Sequence, residues 1–435
     1  MIISKIKSKL PSSDTCELVI GSGLAFIVKA FSAAGAFFLN LLVARHLGAE
    51  ESGYFFLSVT IVLLISVISR LGADNAIVRF VAMFKVDQNN EEIARLYGLL
   101  VRLVLPILFL SSFLVLYFSE FISEFIFNKP ELSQVLMIMG LSVIPLSLSQ
   151  LNGFFLQGAK HVVPAMLFNS GAMAITVLLS VFIIEPHSAV DVAKLYLLSS
   201  VVVFTLSAIT WRSKVKKVIS FRPISSSSQL TVAMKSLFVI MLMSQVTQWA
   251  GQLMLGLWAN STDVALFATA LNTAMLTSFI LISVNAIAAP KFAAAYKSND
   301  LASIEKTAIN SSRLMTLMAL PLIIFMLVFA ERIMSLFGSE FVEAANILRL
   351  LALGQFINVI TGSVGYLLQM TGHEAILKRN VIVASMIVLI GGPVLIPIFG
   401  IIGAAIVTSL SVATQNLMSY YQVKKLLGIN TFKIY

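Results

Sequence analysis

Long apolar runs separated by short polar stretches fill this chain. They fall near 18–44, 53–82, 96–118, 132–157, 162–184, 191–211, 233–257, 262–290, 311–330, 342–371, 378–398 and 400–423. A helix that crosses a bilayer needs about 20 mostly apolar residues. Each run therefore predicts one span, and the pattern predicts an all-α integral membrane protein of about twelve spans. The second, eighth and tenth runs are longer than one crossing requires, which predicts tilt or projection past the bilayer. Lys5, Lys7 and Lys9 precede the first run and mimic the start of a signal peptide. The run from Leu18 to Ala44 is well beyond a signal core of roughly 7–15 residues, so it predicts an uncleaved first span.

Lys and Arg positions orient the spans, because cytoplasmic loops retain positive charge. With the N-terminus inside, only Arg45, Lys129, Lys194, Arg332 and Arg349 fall outside, and Lys29 alone lies deep in a span. All the other Lys and Arg residues fall inside, so both termini are predicted to be cytoplasmic. Acids lean the other way, with Glu50, Glu51, Glu120, Glu124 and Glu131 outside. An even span count follows from the alternation, since one miscounted span would scramble it.

Composition agrees. Hydrophobic residues make up 58% of the chain and charged residues 11%, against about 25% charged in soluble domains. A net charge of +10 does not predict a nucleic-acid partner, because the basic residues sit at the ends of apolar runs and form no basic stripe. Cys16 is the one cysteine, and His46, His161, His187 and His373 lie far apart. That pattern predicts no disulfide framework, no metal site and no cofactor.

The densest basic stretch runs from Arg212 through Lys214, Lys216, Lys217 and Arg222 to Lys235, and holds the serine run Ser225 to Ser228. It divides the chain into an N-terminal lobe at 1–217, a cytoplasmic linker at 218–232 and a C-terminal lobe at 233–435. The lobes carry matching segments at an offset of 212 residues: Arg79-Phe80-Val81 with Lys291-Phe292-Ala293, Phe155-Leu156-Gln157 with Leu367-Leu368-Gln369, and Gly53-Tyr54-Phe55 with Ala265-Leu266-Phe267. Three matches at one offset predict duplication. Six spans per lobe make the repeats parallel, an arrangement that places a substrate path at their interface.

Lys29 is the sharpest candidate for chemistry. A mid-span lysine costs roughly 2.5–3.5 kcal/mol on insertion scales, which favours a watery cavity and an anionic contact; a lysine snorkelling to the cytoplasmic side is the bland alternative. Arg102 lies inside span three. Arg70 and Arg79 flank the end of span two and Lys291 closes span eight, where they could line a cytoplasmic gate or simply anchor at the interface. Gln245, Gln248 and Gln252 lie on one predicted face of span seven. Asn40, Asn272 and Asn285 add further intramembrane amides, which either glue helices together or bind sugar hydroxyls. Asp74 and Asp263, the acids nearest a span centre, both sit at span ends, which disfavours proton-coupled cation export. The chain has no phosphate-cradling loop carrying a Lys and no catalytic constellation, so it reads as a transporter and not an enzyme.

Several segments resemble the polysaccharide exporter and O-antigen flippase branch of the multidrug/oligosaccharidyl-lipid/polysaccharide superfamily. They are Arg45-His46-Leu47-Gly48-Ala49-Glu50 with Ser52-Gly53-Tyr54, Gly72-Ala73-Asp74-Asn75 with Arg79-Phe80, Asp263-Val264-Ala265-Leu266-Phe267, Leu336-Phe337-Gly338, and Gly400-Ile401-Ile402-Gly403-Ala404-Ala405. The resemblance implies two six-helix bundles forming a V in a bacterial inner membrane. It implies a flippase that moves an undecaprenyl-pyrophosphate-linked oligosaccharide from the cytoplasmic to the periplasmic leaflet by alternating access. Membrane lipids, a polysaccharide polymerase and a chain-length regulator are the partners it implies. A multidrug or cation antiporter of the same superfamily, or a non-transporting scaffold for glycan assembly, are the competing expectations.

Overall fold

Backbone polar groups in lipid must be satisfied within the chain, which leaves helices as the natural answer for an apolar sequence of this kind. In the computed structural model, which describes residues 13–215, 219–220, 222 and 227–431, every regular element among those residues is helical. Lys5, Lys7, Lys9, Lys216, Lys217, Ser225 and Ser226 lie outside the described residues.

In the N-terminal half, α1 spans Ser13–Ser69, α2 Ala73–Val86, α3 Asn90–Tyr117, α4 Leu132–Leu141, α5 Val143–Gly158, α6 Val162–Ile184 and α7 Ala189–Lys214. In the C-terminal half, α8 spans Ser227–Trp258, α9 Ser261–Ala274, α10 Leu276–Lys297, α11 Leu301–Val328, α12 Ala345–Thr361, α13 Val364–Met370 and α14 Glu374–Leu427. Among the described residues, eight helices are long and apolar enough to cross a membrane, or nine with the α4–α5 pair, which is bent by 42°. Two of the eight exceed one crossing, at 43 and 54 residues. Each of these breaks at a glycine in the left-handed region, Gly48 in α1 (φ 74) and Gly400 in α14 (φ 55). The two arms of α14 lie side by side: Ser411 Oγ donates to the carbonyl of Ala384 at 2.7 Å.

Two of the three overlong runs, 53–82 and 342–371, are broken at residues with positive φ. Run 53–82 stops at Ser69, passes Leu71 and Gly72 with positive φ, and restarts as α2. Run 262–290 has only a turn at Met275, whose backbone stays in the right-handed α region, and Ser261–Asn285 still reads as one apolar span. Run 342–371 breaks at Gly362 (φ 74) before α13. A left-handed residue reverses the helical path within one position, and hydropathy does not register it because the flanking residues stay apolar.

Element boundaries repeat along the chain. The second arm of α1 begins after Gly48 and α9 begins at Ser261; α3 and α11 are both 28 residues long, capped by Asn89 and Asp300 and interrupted by Pro106 and Pro321. His161 and His373, 212 residues apart, each sit at the N-cap of the following helix, α6 and α14. Ser207 and Ser419, 212 residues apart, each accept from an asparagine amide, Asn152 at 3.0 Å and Asn380 at 3.1 Å, although the two asparagines are not at equivalent positions.

Candidate functional site

α6 is not a continuous α-helix. Residues Leu167–Gly171 form a π turn, a one-residue bulge that re-aims side chains and recurs at functional sites. This turn presents Phe168, Asn169 and Ser170 to a cavity of about 260 Å³. Asn40 from the first arm of α1, Gln150 from α5 and Thr60 from the second arm of α1 join it, and Phe55, Phe56 and Trp249 supply aromatic faces. Gly153 makes room for the turn, since a Cβ there would run into Asn169 Oδ1. Lys29 is half-buried and its ammonium donates to Ser170 Oγ at 3.0 Å. A mid-span cation thus touches the cavity wall. Gln150 Oε1 and Asn169 Oδ1 are buried without a hydrogen-bond partner. Such orphaned acceptors are costly in a low-dielectric site unless something else binds them.

A second cavity of about 240 Å³ lies in the C-terminal half, lined by Ser244, Gln248, Gln355, Asn358, Thr408 and Gln415 among others. The two cavities share a wall. On α8, Gln248 faces the second cavity while Trp249 and Gln252 face the first; on α9, Leu271 faces the second and Asn272 the first. This corrects the single polar face expected for Gln245, Gln248 and Gln252. Positions four apart differ by about 40° around a helix, and at a lobe boundary that angle is enough to divide them. Gln252 is also committed structurally, donating to the carbonyl of Phe56 at 3.2 Å. Gln245 and Asn285 are not among the residues lining either cavity; Asn285 is buried with Oδ1 unpartnered.

The remaining basic candidates stand apart from the cavities. Arg70 is buried in a bidentate pair with Asp74 at 2.8 and 2.9 Å and donates to Ser66 Oγ at 2.6 Å. Arg102 is exposed beside Leu103, on the face of α3 opposite Leu100, Val104 and Leu108. Arg79 and Lys291 are also exposed.

One basic residue outside the predicted set proves central to the contact between halves. Lys129 is only 7% exposed, a state lysine rarely reaches without partners. A second π turn, Ile122–Ile126, leads the chain to it. Its ammonium donates to the carbonyls of Phe127 at 3.1 Å, Gly256 at 2.7 Å and Ala259 at 2.6 Å. The last two acceptors are at the C-terminal end of α8, where a cation meets the negative end of the helix dipole. Burial holds this ammonium below the ordinary lysine range, while the charge of Asp263 pulls the other way. At the same end of the molecule, Glu340 accepts from the backbone N–H of Ala49 at 2.9 Å and Arg45 donates to the carbonyl of Leu336. Gly53 packs so closely on Ser261 that a Cβ would run into its carbonyl oxygen. The end marked by Gly48, Lys129 and Glu340 is therefore bridged by hydrogen bonds between the N-terminal and C-terminal halves of the chain. No local sequence signal marks Lys129 for burial, because hydropathy treats it as ordinary loop polarity.

A family model described as polysaccharide biosynthesis protein matches residues 42–346. The probable low-salt glycan biosynthesis flippase of Haloferax volcanii is 23% identical over 419 residues, covering 95% of this chain and 85% of that protein. Among solved structures, an inward-facing multidrug resistance MATE family transporter of the MOP superfamily superposes with TM-score 0.74 at 16% identity, over 93% of this chain and 98% of its own. The lipid II flippase MurJ in an inward closed conformation gives 0.68 at 16% identity, over 92% and 87%. The fold is thus the one shared by these transporters.

Proposed function

The chain belongs to the polysaccharide biosynthesis protein family, and from that premise we propose that it is a flippase for a lipid-linked oligosaccharide. The substrate is an undecaprenyl-pyrophosphate-linked repeat unit, of O-antigen or similar type, and it crosses from the cytoplasmic to the periplasmic leaflet of the bacterial inner membrane. The lobes are 1–217 and 233–435, joined by the linker 218–232, and they rock about the shared wall of α8 and α9.

The observation that carries this reading is the Lys29 ammonium at the wall of an amide-lined cavity on the lobe boundary. At an effective dielectric of 20, one charge pair at 4 Å contributes about 4 kcal/mol. That is enough to hold a pyrophosphate in register, and weak enough for release when the cavity is exposed to the opposite side. Asn40, Asn169 and Gln150 offer donors and acceptors to sugar hydroxyls beside it, and Trp249 offers a face for the apolar side of a ring. The lipid tail stays in the bilayer while only the polar headgroup and glycan cross. The Lys129 and Glu340 contacts serve as the periplasmic closure in this reading.

A cation antiporter needs a buried carboxylate in its cavity to bind its substrate or relay its proton. Among the described residues, no Asp or Glu lines either cavity. The test is glycan analysis of a deletion strain with and without the wild-type chain. Loss of surface polysaccharide together with lipid-linked repeat units retained on the cytoplasmic leaflet is expected. Normal surface glycan with new drug sensitivity would overturn the flippase reading in favour of the antiporter.

A further inference from the structure

The cavity in the C-terminal half has no counterpart of the Lys29 ammonium that donates to Ser170 on the wall of its neighbour. Among the described residues lining it there is no Lys, Arg, His, Asp or Glu; its polar side chains are amides and hydroxyls. An ion placed there would be stripped of water with no opposite charge to compensate, which is strongly unfavourable. The cavity therefore selects for a neutral ligand that can both donate and accept hydrogen bonds.

Its polar groups fall into two sets. One set is already tied down. Asn358 donates to Gln355 Oε1 at 3.1 Å, Ser278 donates to the same oxygen at 3.3 Å, and Ser409 donates to the carbonyl of Leu350 at 2.9 Å. These bonds fix side-chain orientation before any ligand arrives. The second set is free. The side-chain amides of Gln248, on α8, and Gln415, on the second arm of α14, make no hydrogen bond within the described protein, yet both line the cavity. Each carries two donors and an acceptor, the complement of adjacent hydroxyls on a sugar. Leu271, Met275 and Leu351 supply the apolar surface that a ring's C–H faces need.

We propose that this cavity is a subsite for uncharged sugar residues of the glycan, with Gln248 and Gln415 as the groups that read their hydroxyls. It rests on the flippase reading and adds a division of labour. The anionic pyrophosphate takes the cavity that Lys29 touches, and neutral sugars reach across the shared wall of α8 and α9 into the uncharged one. A preference for neutral over acidic sugars at this subsite follows directly, because an added carboxylate would find no cation there.

The experiment measures binding to the full-length chain in lipid nanodiscs by tryptophan fluorescence. Two probes are used: a polyprenyl pyrophosphate with no sugar, and the same lipid carrying one N-acetylglucosamine. The wild-type chain is expected to bind the glycosylated probe more tightly by about tenfold, the worth of one or two added hydrogen bonds. The double variant Gln248→Met/Gln415→Met keeps side-chain length and removes the amides. It is expected to lose that tenfold preference while binding the bare lipid as before. Lys29→Ala is expected to weaken both probes alike. A double variant that keeps the full preference, or a wild type that binds both probes equally, overturns the subsite and leaves the flippase reading standing. A wild type that binds neither probe overturns both. If the double variant loses its thermal transition, Gln415→Met alone is read by the same criteria, with half or more of the preference lost in support and none lost against.

Discussion

Lys29 and Lys129 show how differently one residue type behaves in two places of one chain. Lys29 touches a cavity and has a single hydroxyl partner, so its charge is available to a ligand. Lys129 is saturated by three carbonyls, so its charge is spent on structure. Lys29→Ala should abolish or severely reduce surface polysaccharide at unchanged protein level, and Lys29→Arg should retain a substantial part of it. Quantifying surface glycan against membrane-extracted protein checks both, and full function of Lys29→Ala would remove the residue from the mechanism. Arg70 makes a contrasting case. Its pair with Asp74 is buried, and removing one partner of a buried pair leaves an uncompensated charge at a cost of roughly 3–5 kcal/mol. Arg70→Ala should therefore lower thermal stability sharply, and Arg70→Met/Asp74→Leu should recover most of it. If Arg70→Ala instead folds normally and fails only in transport, the arginine belongs to the gate.

The elements that matter most are the irregular ones. A regular α-helix through 162–184 would rotate Asn169 and Ser170 relative to Phe168; the π turn brings all three to one cavity. Deleting one residue within 167–171 would restore regular α-helical bonding. The short helical segment Val162–Met166 at the end of α6 can absorb the change in register. The expected result is loss of transport with a melting temperature close to wild type, since bundle packing survives. Hydrogen-exchange protection on both sides of the deletion provides the check. Gly53 marks a second irregularity, an approach of backbone to backbone at the lobe boundary. Gly53→Leu should be far more disruptive there than Gly391→Leu, where the nearest atoms are side-chain methyls of Val407.

At the scale of the molecule, among the described residues, several directed bonds between the two halves cluster at one end, with Gln252 bonding the Phe56 carbonyl at the shared cavity wall. Opening that end must break the Lys129 and Glu340 contacts, each a charge-assisted bond worth roughly 1.5–3 kcal/mol. Lys129→Ala/Glu340→Ala should shift the population toward the outward-open state. A single cysteine placed at Asn40, in a Cys16→Ser background, reports the shift. It should react with a membrane-impermeant thiol reagent from the periplasmic side faster in the double variant than in its parent. Equal labelling rates would show that the closure is held by packing and not by these bonds.

The all-helical membrane fold, the 212-residue spacing of matching segments and the lone cation in span one were legible from the chain. Each depends on local composition or on linear spacing, which folding does not alter. The count of twelve rests on those runs, because two of the long helices carry a glycine break that length alone does not reveal. The polar residues at the two cavities were legible only in part. Lys29, Asn40, Asn272, Gln248 and Gln252 were marked by being polar where lipid demands apolar residues. How Gln248 and Gln252 divide between two cavities, the convergence of Gln150 with Asn169, and the burial of Lys129 were set by tertiary structure. In a membrane bundle the lipid-facing and protein-facing sides of a helix are equally apolar. Sequence therefore carries little signal for helix rotation, and rotation decides which cavity a polar side chain enters.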